Sequence, residues 1–167
     1  MPAAIAIVAY HPEHADALVA LWRASFQHGV GVAVPNSVQE HRRYLEERLL
    51  PEATLHVALR DGAVAGFIAS TPAAVLQLYV HVDHLGQGIG TRLLDLAKAR
   101  SDGTLWLYTF ASNTRAQRFY EHHGFDIVAR GFEPELQQDD IRYEWARGVQ
   151  RPRGDRGTGS ASPPGIA

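Results

Sequence analysis

The sequence predicts a single-domain α/β protein with a mixed central sheet flanked by about four helices. Three observations support this fold class. Strand-like and helix-like segments alternate along most of the chain. Asp61-Gly62 separates two β-rich runs and is a strong signal for an antiparallel hairpin. A third β-rich run leads through a glycine-rich loop into an apolar helical pattern, which gives the strand–loop–helix order of an α/β protein.

The elements of the N-terminal half follow from hydrophobic periodicity and capping signals. Leu18, Leu21 and Trp22 recur on one face of a helix. Asn36 or Ser37 can cap a second helix. The predicted elements are a strand at 4–9, a helix at 14–26, a second helix ending at 49, and strands at 54–60 and 63–70.

The C-terminal half continues the alternation of strands and helices. Thr71-Pro72 marks a turn, and Gly124 stands where a glycine commonly ends a helix. The predicted elements are a strand at 75–82, a helix at 88–100, a strand at 104–110, a helix at 113–123, and a closing antiparallel pair at 125–130 and 140–146.

Composition and charge indicate a small soluble enzyme. The 167 residues suffice for one domain with a substantial core. Removing the three Arg and one Asp of residues 148–167 from the 16 basic and 18 acidic residues leaves 13 and 17, a net charge of −4. We therefore expect no nucleic-acid partner, which usually needs a concentrated basic face. The absence of Cys excludes disulfides and thiolate chemistry. No apolar run approaches a membrane span and no signal peptide is recognisable, so we expect a cytoplasmic protein without a membrane partner.

Glycines at the start of one predicted helix point to an anion-binding site. Gly86, Gly88 and Gly90 let the backbone approach a ligand closely, and the first N–H groups of a helix lack intrahelical acceptors. With the positive end of the helix dipole, these donors suit a phosphate or pyrophosphate. No Lys follows the glycines, as a P-loop requires, and residues 105–107 hold no acidic ribose ligand of a dinucleotide site. A strand–loop–helix that binds pyrophosphate through its backbone remains.

This loop resembles the acetyl-CoA site of the GNAT superfamily of N-acetyltransferases, whose signature is [R/Q]-x-x-G-x-[G/A]. The matching run is Leu85-Gly86-Gln87-Gly88-Ile89-Gly90, followed by Thr91. The resemblance implies that these residues bind the cosubstrate acetyl-CoA and that the chain has a GNAT-like acyl-CoA N-acyltransferase fold. Leu85 departs from the family, which has Arg or Gln there. Because most pyrophosphate contacts in such a site come from main-chain N–H groups, we expect the site to survive with weaker affinity.

A second block, residues 105–125, also resembles the family, since a strand runs into a helix that carries F-Y-E-x-x-G-F. The resemblance implies that this strand splays away from the one before the glycine loop. The pantetheine arm would lie in the gap and pair with strand backbone, for which Val80 and Val82 are the candidate main-chain contacts. Asn113 matches the family's Asn beside the acyl end of the cofactor. Asn113 also suits a helix N-cap, and the two roles are compatible.

The resemblance makes Tyr120 the candidate general acid, because a nearby phenol can protonate the CoA thiolate that leaves when an amine attacks the thioester. A tyrosine that only packs in the core is the open alternative. Many family members place a Glu base on the strand before the glycine loop, but this strand offers Gln77, Tyr79 and His81. His81 is the candidate base because histidine is the residue type whose ordinary pKa lies closest to neutral pH. A water relay or an amine that is already neutral remains open.

We therefore expect a GNAT-type N-acetyltransferase domain at 1–147 and a disordered tail at 148–167. It would move acetyl from acetyl-CoA to a primary amine of a small molecule or a peptide, by direct attack in a ternary complex. No metal site is expected, because the nine His lack the i, i+4 spacing of helical ligands. Two alternatives are a non-catalytic acyl-CoA-binding regulatory domain and a nucleotide-binding enzyme that uses the same helix mouth. A homodimer is also left open.

Overall fold

A computed structural model of the chain describes residues 3–148. The boundary predicted between a domain at 1–147 and a tail at 148–167 falls at the end of this range. The predicted disordered tail therefore lies, apart from Gly148, outside the described residues.

Seven strands and four helical segments make up residues 3–148, in the alternating order that the sequence predicts. The second segment is continuous through a π-helical turn. The elements are β1 (Ile5–Ala9), α1 (Ala15–Val30), α2 (Val38–Tyr44) with the π turn Leu45–Leu49 and α3 (Leu50–Glu52), β2 (Thr54–Arg60), β3 (Ala63–Ser70), β4 (Val75–Val80), α4 (Ile89–Arg100), β5 (Thr104–Phe110), α5 (Thr114–His122), β6 (Asp126–Glu133) and β7 (Gln138–Ala146).

The strands form two antiparallel sheets that meet at one point. The first sheet has the order β1-β2-β3-β4, and the second has the order β5-β7-β6. The predicted hairpin at Asp61-Gly62 is confirmed, with Ala63 opposite Arg60. Ala74, directly before β4, forms a single parallel bridge to Trp106 of β5, and the Trp106 N–H donates to the Ala73 oxygen at 3.0 Å. Beyond this bridge the two strands diverge.

Two apolar cores lie on opposite faces of the sheets. On one face, α1 packs Trp22 and Phe26 against residues of β3, β4 and β5. On the other face, α4 and α5 pack against β3, β5 and β7, with Tyr120 fully buried. Gly66 of β3 allows α4 to pack closely on this sheet, because a Cβ at Gly66 would lie 3.1 Å from Ile89 Cγ2 and 3.0 Å from the Tyr79 oxygen. This close approach fixes where α4 begins.

The structure corrects three predicted boundaries. α1 continues to Val30 and ends at Gly31, whose φ of +83° suits a glycine C-cap. β4 ends at Val80, so that Val82, predicted to lie in the strand, begins a 3₁₀ turn through His84 instead. The closing hairpin is longer than predicted, because β6 extends to Glu133 and β7 begins at Gln138.

His41 of α2 is a buried titratable group within the first core. It is 8% exposed, and its ring centroid lies 4.1 Å from that of Trp22. Its Nδ1 has no hydrogen-bond partner within the described part of the chain. Burial, followed by the positive charge of Arg23, lowers the pKa of His41 to about 4. The imidazole is therefore neutral in the folded protein at pH 7.

We predict that His41 makes the protein less stable as the pH falls from about 7 to about 5. The unfolded chain takes up a proton near the ordinary histidine pKa of about 6.5, whereas folded His41 does not until about pH 4. Proton binding by the unfolded state alone favours unfolding as the pH falls. His41→Gln should therefore lose less unfolding free energy than the wild type between pH 7 and pH 5 in urea titrations.

The matched control is the same substitution at the exposed His28, and His41→Gln should lose less unfolding free energy than His28→Gln over the same pH range. His56 and His123, whose pKa values burial also lowers, are present in all three proteins and do not affect the comparison. An identical loss of stability in His41→Gln and the wild type would contradict the prediction.

Candidate functional site

A pocket with a cavity volume of about 330 Å³ lies at the end of β4. Its walls come from five places in the sequence: α1, the end of β4, the glycine loop, the start of α4 and α5. Most of the predicted site residues meet here. Those that line the pocket are Val80, Val82, Leu85, Gly86, Gly88, Ile89, Gly90, Thr91, Asn113 and Tyr120.

The free edge of β4 presents backbone groups to this pocket. The His81 N–H donates to the Ala65 oxygen of β3 at 2.8 Å. Because successive residues of a strand point their backbone groups to opposite edges, Tyr79 also faces β3 and Val80 faces the gap. The Val80 carbonyl accepts a hydrogen bond of 2.8 Å from the Ser25 hydroxyl of α1. The Val80 N–H is therefore the backbone donor that this residue offers to a ligand in the gap.

The glycine loop adopts a backbone conformation that favours glycine at two positions. Gly86 and Gly88 have φ values of +75° and +82°, in the left-handed region that favours glycine. Gly88 is the N-cap of α4, and no side chain caps this helix. The first hydrogen bond within α4 runs from the Arg92 N–H to the Gly88 oxygen, at 3.1 Å. The N–H groups that precede Arg92 in this helix therefore have no helical acceptor. These donors face the pocket mouth and suit an anion.

Gln87 is the one member of the predicted loop that does not line the pocket. Its Oε1 accepts a hydrogen bond of 2.7 Å from Arg60 Nη1 at the end of β2. The same Arg60 nitrogen lies 2.6 Å from His84 Nδ1. Arginine has only donors, so His84 Nδ1 is the acceptor. Arg60 thus ties two loop residues to the first sheet, a contact across 27 residues for which the sequence has no local signal.

Tyr120 of α5, the candidate general acid, lines the pocket. Its side chain is 2% exposed, and Tyr79 of β4 lines the same pocket. Burial, with Tyr79 nearby, raises the pKa of Tyr120 above its ordinary value. The phenol is therefore protonated throughout the neutral range and can donate a proton inside the pocket.

Asn113 caps α5 and also lines the pocket. Its Oδ1 accepts a hydrogen bond of 3.1 Å from the Ala116 N–H, so the predicted N-cap is confirmed. Gly29 of α1 makes room for it, since a Cβ at Gly29 would lie 2.7 Å from Asn113 Nδ2. The cap orients the first turn of α5 toward the pocket.

His81 is not among the residues that line the pocket. Its Nδ1 accepts a hydrogen bond of 3.1 Å from the Asp83 N–H and lies 3.8 Å from Asp83 Oδ2. His28 and His84 do line the pocket. His84 is not among the residues predicted for this site, because its place in the pocket depends on contacts between distant elements of the chain.

Residues 3–148 contain neither a metal-binding cluster nor a membrane-spanning helix. Within this range, no three His, Asp or Glu side chains come together in a group that could hold a metal ion. No helix in the same range is long and apolar enough to span a membrane.

The comparisons with known proteins agree with this arrangement. The sequence model of the Acetyltransferase (GNAT) family matches residues 15–125, which is more than half of the chain. The chain belongs to the GNAT family of acetyltransferases. The predicted fold and enzyme class, an acyltransferase, are confirmed by this match. No curated protein matches the chain.

Solved structures show the same GNAT fold at low sequence identity. Apo YjaB of Escherichia coli has a TM-score of 0.69 and 24% identity, over 87% of this chain and 99% of its own. PaiA N-acetyltransferase of Thermoplasma acidophilum, in complex with coenzyme A, has a TM-score of 0.69 and 20% identity, over 86% and 99%. YncA of Salmonella typhimurium, with its cofactor acetyl-CoA, has a TM-score of 0.65 and 18% identity, over 89% and 98%.

Proposed function

We propose that this GNAT-family protein transfers the acetyl group of acetyl-CoA to a primary amine, by direct attack in a ternary complex. One observation carries the proposal: the free edge of β4 and the uncapped start of α4 open into the same pocket. A single ligand that joins a pyrophosphate to an amide-containing arm would bind both the α4 N–H groups and the free edge of β4. The T. acidophilum and S. typhimurium proteins, solved with coenzyme A and acetyl-CoA, support this choice of ligand.

The two halves of the pocket would bind the two halves of the cosubstrate. The backbone N–H groups at the start of α4, with Gly86 and Gly88, would hold the pyrophosphate. The pantetheine arm would lie along β4 and act as a short extra strand. The Ser25 hydroxyl occupies the Val80 carbonyl, and the Val80 N–H, which faces the gap, is the candidate donor to this arm. Val82, outside the strand, would contribute at the loop rather than along the edge.

The transfer forms a C–N bond to the amine and breaks the C–S bond of the thioester. Negative charge develops first on the carbonyl oxygen, where a backbone N–H can stabilise it. The sulfur then leaves as a thiolate, and Tyr120 would give it the phenolic proton. Burial makes the phenol a weaker acid, but a thiolate in the same pocket is desolvated too, and its own pKa rises for the same reason.

The amine must also lose a proton, and no Asp or Glu lines the pocket within the described residues. His81 stays the sequence-based candidate for this base, although its ring is directed to Asp83. We propose instead that the amine attacks from its neutral fraction or passes the proton to water. Two observations favour the alternative of a CoA-binding domain without catalysis: the pocket has no acidic base, and Leu85 stands in the loop. The following experiment distinguishes this alternative from an active acetyltransferase.

We predict that acetyl-CoA and CoA stabilise the protein against heat, whereas ATP and NAD do not. A ligand at about one hundred times its dissociation constant adds about 2.7 kcal/mol of stability, which gives a clear shift in Tm for a domain of this size. Release of free thiol from acetyl-CoA should then depend on added amine. CoA-dependent stabilisation without turnover on a broad amine panel would support the regulatory domain. Stabilisation by ATP or NAD alone would contradict the proposal.

We predict that Tyr120→Phe lowers kcat by about 10²-fold or more, because general acids contribute on that scale. The KM for acetyl-CoA should change only slightly, since the ring and its packing are kept. Tyr143→Phe is the matched control: Tyr143 is also fully buried, packs 6.1 Å from the Tyr120 ring and does not line the pocket. Equal kcat values for Tyr120→Phe and the wild type across the pH range would exclude the acid role.

A further inference from the structure

The start of the glycine loop lacks a charged side chain where an anion is expected. Leu85 lines the pocket there with an apolar side chain. The helix N-terminus supplies only about half an elementary positive charge. A pyrophosphate carries more negative charge than this, so a cation near the loop would strengthen its binding.

Three arginines lie near the loop, and two of them are held by other groups. Arg60 donates to Gln87 and His84, as described above. Arg92 Nη1 donates to the Ile5 oxygen at 2.9 Å, on the side of β1. Arg115, in the first turn of α5, lines the pocket itself. None of the salt bridges within residues 3–148 includes Arg115.

The Arg115 guanidinium reaches across from α5 to the loop. Its Nη2 lies 3.9 Å from the point where a Cβ on Gly86 would stand, which places it directly beside the loop backbone. The Asn113 cap fixes the turn that carries it. Arg118 lies one helical turn further on, is exposed, and does not line the pocket. The structure thus separates two arginines that look equivalent in the sequence.

We propose that Arg115 binds the pyrophosphate of CoA and supplies, from α5, the positive charge that Leu85 does not. The proposal rests on the proposed function, because it requires CoA as the ligand. Arg115 lies beside Gly86, where the N–H groups of the loop and of α4 converge. This position assigns Arg115 to the pyrophosphate rather than to the 3′-phosphate of CoA. An arginine can donate two parallel hydrogen bonds to phosphate oxygens, which suits this role.

The test measures CoA binding by isothermal titration calorimetry with wild type, Arg115→Ala and Arg118→Ala. A charge-assisted contact of this kind predicts a dissociation constant about tenfold to a hundredfold higher for Arg115→Ala. Arg118→Ala should stay within about twofold of the wild type, because Arg118 lies outside the pocket. Adding Leu85→Arg to Arg115→Ala should restore a large part of the lost affinity. Both arginines are exposed, so the variants should fold, which circular dichroism would verify.

Titration with 3′-dephospho-CoA shows whether Arg115 binds the pyrophosphate or the 3′-phosphate of CoA. If Arg115 binds the pyrophosphate, Arg115→Ala loses the same factor of affinity for CoA and for 3′-dephospho-CoA. A loss that disappears with 3′-dephospho-CoA would overturn the assignment to the pyrophosphate. Equal affinities of Arg115→Ala and Arg118→Ala, with tight wild-type binding, would overturn the inference and leave the proposed function standing. A wild-type protein that does not bind CoA would overturn the proposed function itself.

Discussion

The organisation of this protein depends on the backbone groups left unpaired where β4 parts from β5. Strand N–H and C=O groups that are buried without partners cost free energy, so a gap between adjacent strands persists only if something else satisfies them. Here one carbonyl, that of Val80, is bound by Ser25 of α1. The adjoining N–H stays available, and we infer that the pantetheine arm of a cosubstrate pairs with it. The same divergence that opens the pocket thereby creates its binding surface.

The site also requires that the N-terminus of α4 lies at the end of this gap. Gly66 allows Ile89, the first residue of α4, to pack directly on β3. Gly86 and Gly88 turn the chain from the end of β4 into that helix within a few residues. Arg60 holds the loop against the first sheet. These contacts place the first N–H groups of α4 and the free edge of β4 in one pocket, so that a single ligand can be oriented by both.

The local features of this site follow from the sequence, and the long-range ones do not. The hairpin at Asp61-Gly62 and the Asn113 cap are determined by neighbouring residues, and both are predicted correctly. The end of β4 is not predicted correctly. β-branched Val82 continues the strand pattern in the sequence, whereas in the structure His81 caps a 3₁₀ turn that begins at Val82. The Ser25 to Val80 and Arg60 to Gln87 contacts span 55 and 27 residues and have no local signal. The candidate role of Tyr120 follows only from the family resemblance, since without it a tyrosine on an amphipathic helix is more commonly a core residue.

The central claim is that the gap-facing N–H of β4 receives the cosubstrate. Amide hydrogen exchange followed by NMR, with and without saturating CoA, tests it most directly. The account predicts that exchange at Val80 slows strongly when CoA binds. Exchange at Tyr79, whose backbone faces β3, should change much less, because its partner is already present in the free protein. Equal protection of both amides, or an unchanged Val80 rate in the CoA-saturated protein, would contradict the account.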